Sequence, residues 1–156
     1  MGGLTQPKRV AKRVAAFLLL SWFTFSIQGA EPVVGSVKTA LGGITVRRGA
    51  ETIPVHEGMH LFVNDVLRTS SDGRLGVILQ DGTRVSLGPD TELRIDSFVY
   101  EPVTGRFGLV LRMARGVIAY VSGKIGQFSP ASVRVETPVA VVGLRGTQFA
   151  IVLEGS

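Results

Sequence analysis

The sequence predicts an all-β fold: a single compact domain of about ten to twelve short strands, sandwich-like or roll-like, preceded by a signal-peptide helix. Three observations predict it. The 156 residues include 20 Gly and 7 Pro alongside 45% hydrophobic residues, with many Val, Leu and Ile among them; such a composition favours turns and strands over a helical bundle. Apolar residues alternate with polar ones in short runs. Turn residues break those runs at close spacing, and no amphipathic helical stretch follows residue 30. The length fits one domain. There is no Cys, which excludes a disulfide scaffold, an iron–sulfur site, a thiolate zinc knuckle and a cysteine nucleophile.

Residues 1–30 read as a secretory signal peptide and residues 31–156 as the β domain. Lys8, Arg9, Lys12 and Arg13 precede Val14 to Ile27, an uncharged, mostly apolar run of 14 residues, and Gln28-Gly29-Ala30 follows. Basic, apolar and small-residue segments in that order mark an export signal. The run is shorter than the roughly 20 residues of a spanning helix. Cleavage near Ala30-Glu31 is therefore expected, and an uncleaved inner-membrane anchor is the competing reading. No cysteine follows the run, so a lipoprotein is excluded. The expected location is the periplasm, with the mature chain soluble or peripherally membrane-associated.

The leader also explains the charge. Lys and Arg total 17 and Asp and Glu 12, a net of +5, but four bases and no acid lie in the first 30 residues. The remainder is nearly neutral. It lacks the concentrated positive field that a phosphate backbone requires, so nucleic acid is not an expected partner.

The strands follow in order. Val33 to Val37 reads as a strand. Gly42-Gly43 turns into Ile44 to Arg47. Thr52 to Val55 carries Pro54, which suits a sheet edge. Leu61 to Thr69 reads as extended. Asp72-Gly73 turns into Leu75 to Leu79. Asp81-Gly82 joins residues 76–80 to 83–87 as a hairpin, with a type I′ turn expected from a two-residue Asp-Gly loop. Glu92 to Asp96 alternates strictly. Leu109 to Met113, Gly116 to Val121, Val133 to Val135 and Phe149 to Leu153 complete the set.

One catalytic pattern matches literally. His56-Glu57-Gly58-Met59-His60 reads H-E-x-x-H, which on a helix places two imidazoles on one face for zinc, with the Glu activating water. Pro54 and Gly58 both disfavour that helix. On a strand the two histidines would lie roughly 13 Å apart, too far for one metal. A zinc hydrolase is thus a remote alternative, and no catalytic residue, metal or cofactor is expected. Asp72, Asp81 and Asp90 sit in turn contexts, where a short carboxylate bonds nearby backbone N–H groups; Asp65 and Asp96 are read the same way. Phe98, Tyr100, Phe107, Tyr120 and Phe128 read as core or cross-strand aromatics before they read as a sugar-stacking platform.

From Gly58 onward a resemblance becomes specific. Asn64-Asp65-Val66-Leu67-Arg68-Thr69, Asp81-Gly82-Thr83, Phe98-Val99-Tyr100-Glu101-Pro102 and Gly116 to Gly123 lead to Glu136-Thr137-Pro138-Val139-Ala140. Val142-Gly143-Leu144-Arg145-Gly146-Thr147-Gln148-Phe149 follows. The order resembles the FecR domain family over nearly all of residues 33 to 153. That resemblance implies a periplasmic β-rich domain, known from the regulator of iron-dicitrate uptake and also from stand-alone secreted proteins and large surface proteins. It implies no catalytic residues. The block Thr137, Pro138, Gly143, Arg145, Gly146, Thr147 and Phe149 is its most specific part and the expected binding region. Physically, Pro138 ends a strand, Gly143 and Gly146 are expected where a Cβ would obstruct the backbone, and Arg145 is expected to pin two strands or to read an acidic partner.

Two departures shape the expectation. Few residues precede the apolar run, so direct sigma-factor control is not expected. The sequence ends soon after Leu153, so the last strand is expected to lack a neighbour and to be a sticky edge. The reading is a non-catalytic periplasmic interaction domain in envelope sensing or signalling. It works through a protein partner in the bacterial envelope, by strand addition at the C-terminal edge, a second copy included. The alternative is a structural or surface-assembly module that binds an envelope polymer or secreted partner.

Overall fold

The computed structural model describes residues 2–3 and 29–154; the basic and apolar runs of the segment read as a signal peptide lie outside the described residues. The chain divides after Ala30, and the unit that begins at Glu31 carries every strand described. The strands are β1 (Gly35–Leu41), β2 (Ile44–Arg48), β3 (Glu51–Pro54), β4 (His60–Leu61), β5 (Val66–Thr69) and β6 (Arg74–Leu79). They continue with β7 (Arg84–Leu87), β8 (Glu92–Glu101), β9 (Arg106–Val121), β10 (Val133–Glu136), β11 (Val141–Gly143) and β12 (Gln148–Leu153). A short helix, α1 (Lys124–Phe128), and a 3-10 turn at Pro130–Ser132 link β9 to β10. The all-β expectation and the strand count both hold.

Two sheets share one strand. The first runs β4-β1-β6-β7-β9-β12 and the second β3-β2-β5-β8-β9-β10-β11. The C-terminal half of β9 lies between β7 and β12, and its N-terminal half between β8 and β10. Every pairing is antiparallel except β10 on β9. That parallel pair requires a crossover, which α1 and the 3-10 turn supply.

The sequence of β9 shows how one strand serves both sheets. Leu109, Leu111 and Met113 are buried at odd positions, then Ile118 and Tyr120 at even ones. Side chains alternate strictly along a strand, so this change of phase needs one extra residue. It is there: Glu92 pairs with Arg115 but Leu93 with Met113, leaving Ala114 as a bulge. Gly116 follows at φ 98°. A Cβ on Gly116 would run into the Thr91 hydroxyl and backbone and the Asp90 carbonyl. Only glycine fits both the angle and the space. A second bulge between Ile95 and Ser97 shifts β8 in the same manner.

Threonine hydroxyls hold this corner. Thr91, fully buried, accepts from the Val117 N–H at 2.9 Å. Its own N–H donates to the Thr69 hydroxyl at 2.9 Å, and Thr69 donates to the Gly88 carbonyl at 2.6 Å. The inner faces of both sheets then share one core, with Leu61, Leu67, Leu109, Met113, Ile118 and Ile125 all sealed from water. Each such side chain contributes roughly 1.5–3 kcal/mol.

Several local expectations are corrected. The strand expected at Val33 to Val37 is β1, which starts at Gly35 and runs to Leu41. Leu61 to Thr69 is not continuous: Asn64 adopts φ 71° and separates β4 from β5. The two strands expected at Leu109 to Met113 and Gly116 to Val121 are the single bent β9. The Asp81-Gly82 hairpin is real, but its turn is not type I′. Gly82 alone has positive φ, and the Gly82 N–H donates to the Leu79 carbonyl at 2.9 Å. That is a type I turn followed by a left-handed glycine. Asp81 is held out of the left-handed region by its own bonds. Its carboxylate accepts from the Thr83 N–H (3.1 Å), the Thr83 hydroxyl (2.7 Å) and the Ile125 N–H (3.1 Å). These last contacts also explain α1, which sequence reading did not expect. Five residues are too short to show a helical period, and the helix is anchored from outside by Asp81.

Two predictions follow from the core. Gly116→Ala is expected to lower stability by about 2–4 kcal/mol, read as a drop in urea midpoint. The second concerns Tyr120. Burial pushes the Tyr120 phenol up, so its contribution is complete below about pH 10 and is lost as pH rises through the raised value. Between pH 8 and pH 11, wild type is expected to lose more stability than Tyr120→Phe.

Candidate functional site

Several of the groups that could have carried chemistry have structural duties instead. His56 to Met59 forms a tight turn, with the Met59 N–H donating to the His56 carbonyl at 3.2 Å and Gly58 at φ 82°. His60 lies in β4 opposite Ser36. The helix face that zinc proteases require does not form over H-E-x-x-H.

The carboxylates take up backbone and arginine donors. Asp65, almost fully buried, receives a bidentate fork from Arg48 at 2.9 and 2.7 Å and the Phe62 N–H at 2.9 Å. Arg48 also lies 4.5 Å from the centre of the Phe62 ring. Asp72 accepts from the Ser70 hydroxyl at 2.5 Å and the Gly43 N–H at 3.3 Å, bonds that hold its carboxyl below the ordinary range. Asp90 serves through its backbone instead, at φ 50°. Asp96 pairs with Arg94 and lies 3.5 Å from Arg112, which also bonds Glu136 at 2.8 Å. Two aromatic pairs form across strands, Tyr100 with Phe107 and Tyr120 with Phe149, the latter stacked at 4.8 Å, whereas Phe128 lies exposed on α1 and is neither core nor cross-strand.

The C-terminal block is built differently. Thr137 closes the β10–β11 hairpin: its hydroxyl donates to the Ala140 carbonyl at 3.0 Å and accepts from the Ala140 N–H at 3.0 Å. Pro138 sits in that turn, after the end of β10. Beyond β11, Arg145, Gly146 and Thr147 carry the chain from the second sheet to the first. Gly146 has φ 93°, which explains the glycine, and the Thr147 carbonyl accepts from the Ser122 N–H at 2.7 Å. β12 then lies along β9.

This passage leaves β11 and β12 as the edges of two different sheets, facing across an open cleft of about 520 Å³. Val142, Gly143 and Arg145 line one side and Phe149 to Val152 the other. Of the expected residues, Gly143, Arg145 and Phe149 meet at the cleft. Gly146 and Thr147 shape the loop behind it, and Thr137 and Pro138 stand apart in the hairpin turn. Two readings of single residues change. A Cβ on Gly143 would meet open space, so nothing crowds that position. Arg145 is exposed and makes no hydrogen bond or ion pair among the described residues, so it does not pin strands. Val142, Ala150, Ile151 and Val152 belong to the cleft and were not expected. For the last three the signal in the sequence is the run Phe149 to Leu153, apolar on both faces.

A family model described as FecR protein matches residues 65–156, more than half of the chain. No curated protein matches, and no solved structure matches.

The two arginines are expected to behave oppositely in thermal melts. Arg48→Ala strands a buried carboxylate and should cost about 3 kcal/mol. Arg145→Ala should leave stability unchanged to within about 0.5 kcal/mol.

Proposed function

We propose, on the ground that this chain belongs to the FecR family, that it is a non-catalytic periplasmic interaction domain serving envelope sensing or signalling through protein contacts. The observation that carries the reading is the open flank. Most carboxylates elsewhere, and several arginines, are bound into turns and ion pairs. At the flank an unpaired sheet edge, a half-covered apolar surface and a free arginine lie together. An extended protein segment suits that combination. It would add to β12 through main-chain hydrogen bonds and place alternate side chains in the cleft. Arg145 would select an acidic residue on it.

A second reading is a surface-assembly module that binds an envelope polymer. Tyr100, Phe107 and Phe128 favour it, because their rings follow one another at 6.1 and 5.8 Å and Phe128 is 62% exposed. The turn at His56 to His60 gives a zinc hydrolase no support.

Cross-linking in intact cells of the native host separates the two. The protein would carry an affinity tag on a linker after Ser156, and the attached proteins would be identified by mass spectrometry. Recovery of an outer-membrane receptor or an inner-membrane signalling protein is expected, falling several-fold in Arg145→Glu. Recovery of cell-wall or surface-assembly components alone would replace the first reading by the second.

A further inference from the structure

The four sheet edges among the described residues are not alike. β3 carries Glu51 and ends in Pro54, β4 has two residues, and β11 has three. Charge, proline and short length are the features that keep an edge from pairing. β12 has none of them. Gln148–Leu153 spans six residues without a charge or a proline.

The pairing with β9 settles which backbone groups of β12 are spoken for. The Thr147 carbonyl faces Ser122, and Phe149, Ile151 and Leu153 continue that alternation opposite Tyr120, Ile118 and Gly116. The N–H and C=O groups of Gln148, Ala150 and Val152 therefore point to the free edge. Phe149, Ile151 and Leu153 pack on the core yet stay half-buried, as do Val142 and Leu144 across the cleft. Val152 is 64% exposed on the other face. The strand also has polarity: Arg145 precedes it and Glu154 follows it.

We propose that a second copy of this chain covers this edge, β12 pairing antiparallel with β12 about a two-fold axis at Ile151. The proposal rests on the open-flank reading above and names its occupant. Opposite charges at the two ends favour a copy of the same strand. Antiparallel self-pairing brings the Arg145 end of each copy to the Glu154 end of the other, whereas parallel pairing would set like against like. A two-fold contact uses one patch twice, so a single unprotected edge suffices. With Ile151 on the axis, Ala150 opposes Val152, Phe149 opposes Leu153 and Gln148 opposes Glu154. Every residue of the strand is then paired. The axis stands normal to the sheet, which keeps the half-buried residues of both copies on one face and closes both clefts with a single apolar row.

The chain has no cysteine, so one introduced thiol reports on one position. Ile151 would face its own counterpart as a non-hydrogen-bonded pair, with Cα atoms about 4.5 Å apart, within disulfide range. Gln148 would lie roughly 20 Å from its counterpart. Protein purified from the envelope fraction is expected to sediment as a dimer. Ile151→Cys should become disulfide-linked under mild oxidation while Gln148→Cys does not. Ala150→Pro removes an outward N–H but no bond to β9, and should halve the sedimenting mass with the melting temperature kept. The cysteine assay does not depend on that variant folding. A wild-type monomer at high concentration with unlinked Ile151→Cys would overturn the proposal. So would a dimer that survives Ala150→Pro and leaves Ile151→Cys unlinked. If the monomer's envelope cross-links are lost in Ala150→Pro, self-pairing fails and the open-flank reading stands; if they persist, both fail.

Discussion

Everything in the fold depends on the corner at Gly116. A strand of 16 residues that must enter two sheets has to turn its side chains over partway along. The bulge at Ala114 supplies the phase shift, and Gly116 supplies the bend. Thr91 supplies the hydrogen-bonding partner that the bent backbone would otherwise lack. Its hydroxyl accepts from Val117 while its own amide rests on Thr69. Two β-branched residues thereby serve as both packing and polar filling at a site sealed from water. An unbonded polar group there would cost about 1–3 kcal/mol.

The same economy governs the other loops. Asp81 ties the β6–β7 turn to the start of α1, and Asp65 ties the β4–β5 loop to β2 through Arg48. In both places a buried carboxylate has its oxygens fully engaged, which makes the pair structural. Polar groups engaged by their neighbours hold the fold, and Arg145, engaged by none of the described residues, stands beside an unpaired strand.

Much of this was legible in the sequence because β-structure writes itself in period two. The runs at Ile44, Leu75, Glu92, Val133 and Phe149 became strands where alternation placed them. What was illegible has specific causes. Residues 109–121 read as two strands because the phase change at Ala114, followed by Gly116, looks like a break. The Asp-Gly pair by itself does not give the turn type, because Asp81 is held by bonds from Thr83 and from Ile125, the latter 44 residues away. α1 was invisible because five residues carry no period. At the flank, the block of Thr137 to Phe149 pointed to the correct end of the molecule. It does not show which glycine the backbone requires: Gly146 has a positive φ, Gly143 does not, and neither is crowded. That β12 forms an edge is a property of sheet order, which no local pattern encodes.

A strand common to both sheets also couples their melting. Neither sheet can come apart while the other stays intact, because each would have to release half of β9 across the same corner. The domain should therefore open as one cooperative unit, with the β9 amides among the slowest to exchange with solvent. β11 and β12 are each paired on one side only, and their amides are the ones expected to fray first. Local opening is thus concentrated at the same end of the molecule as the cleft. A partner strand bound there would be registered in the exchange rates of β9 and hence by both sheets together.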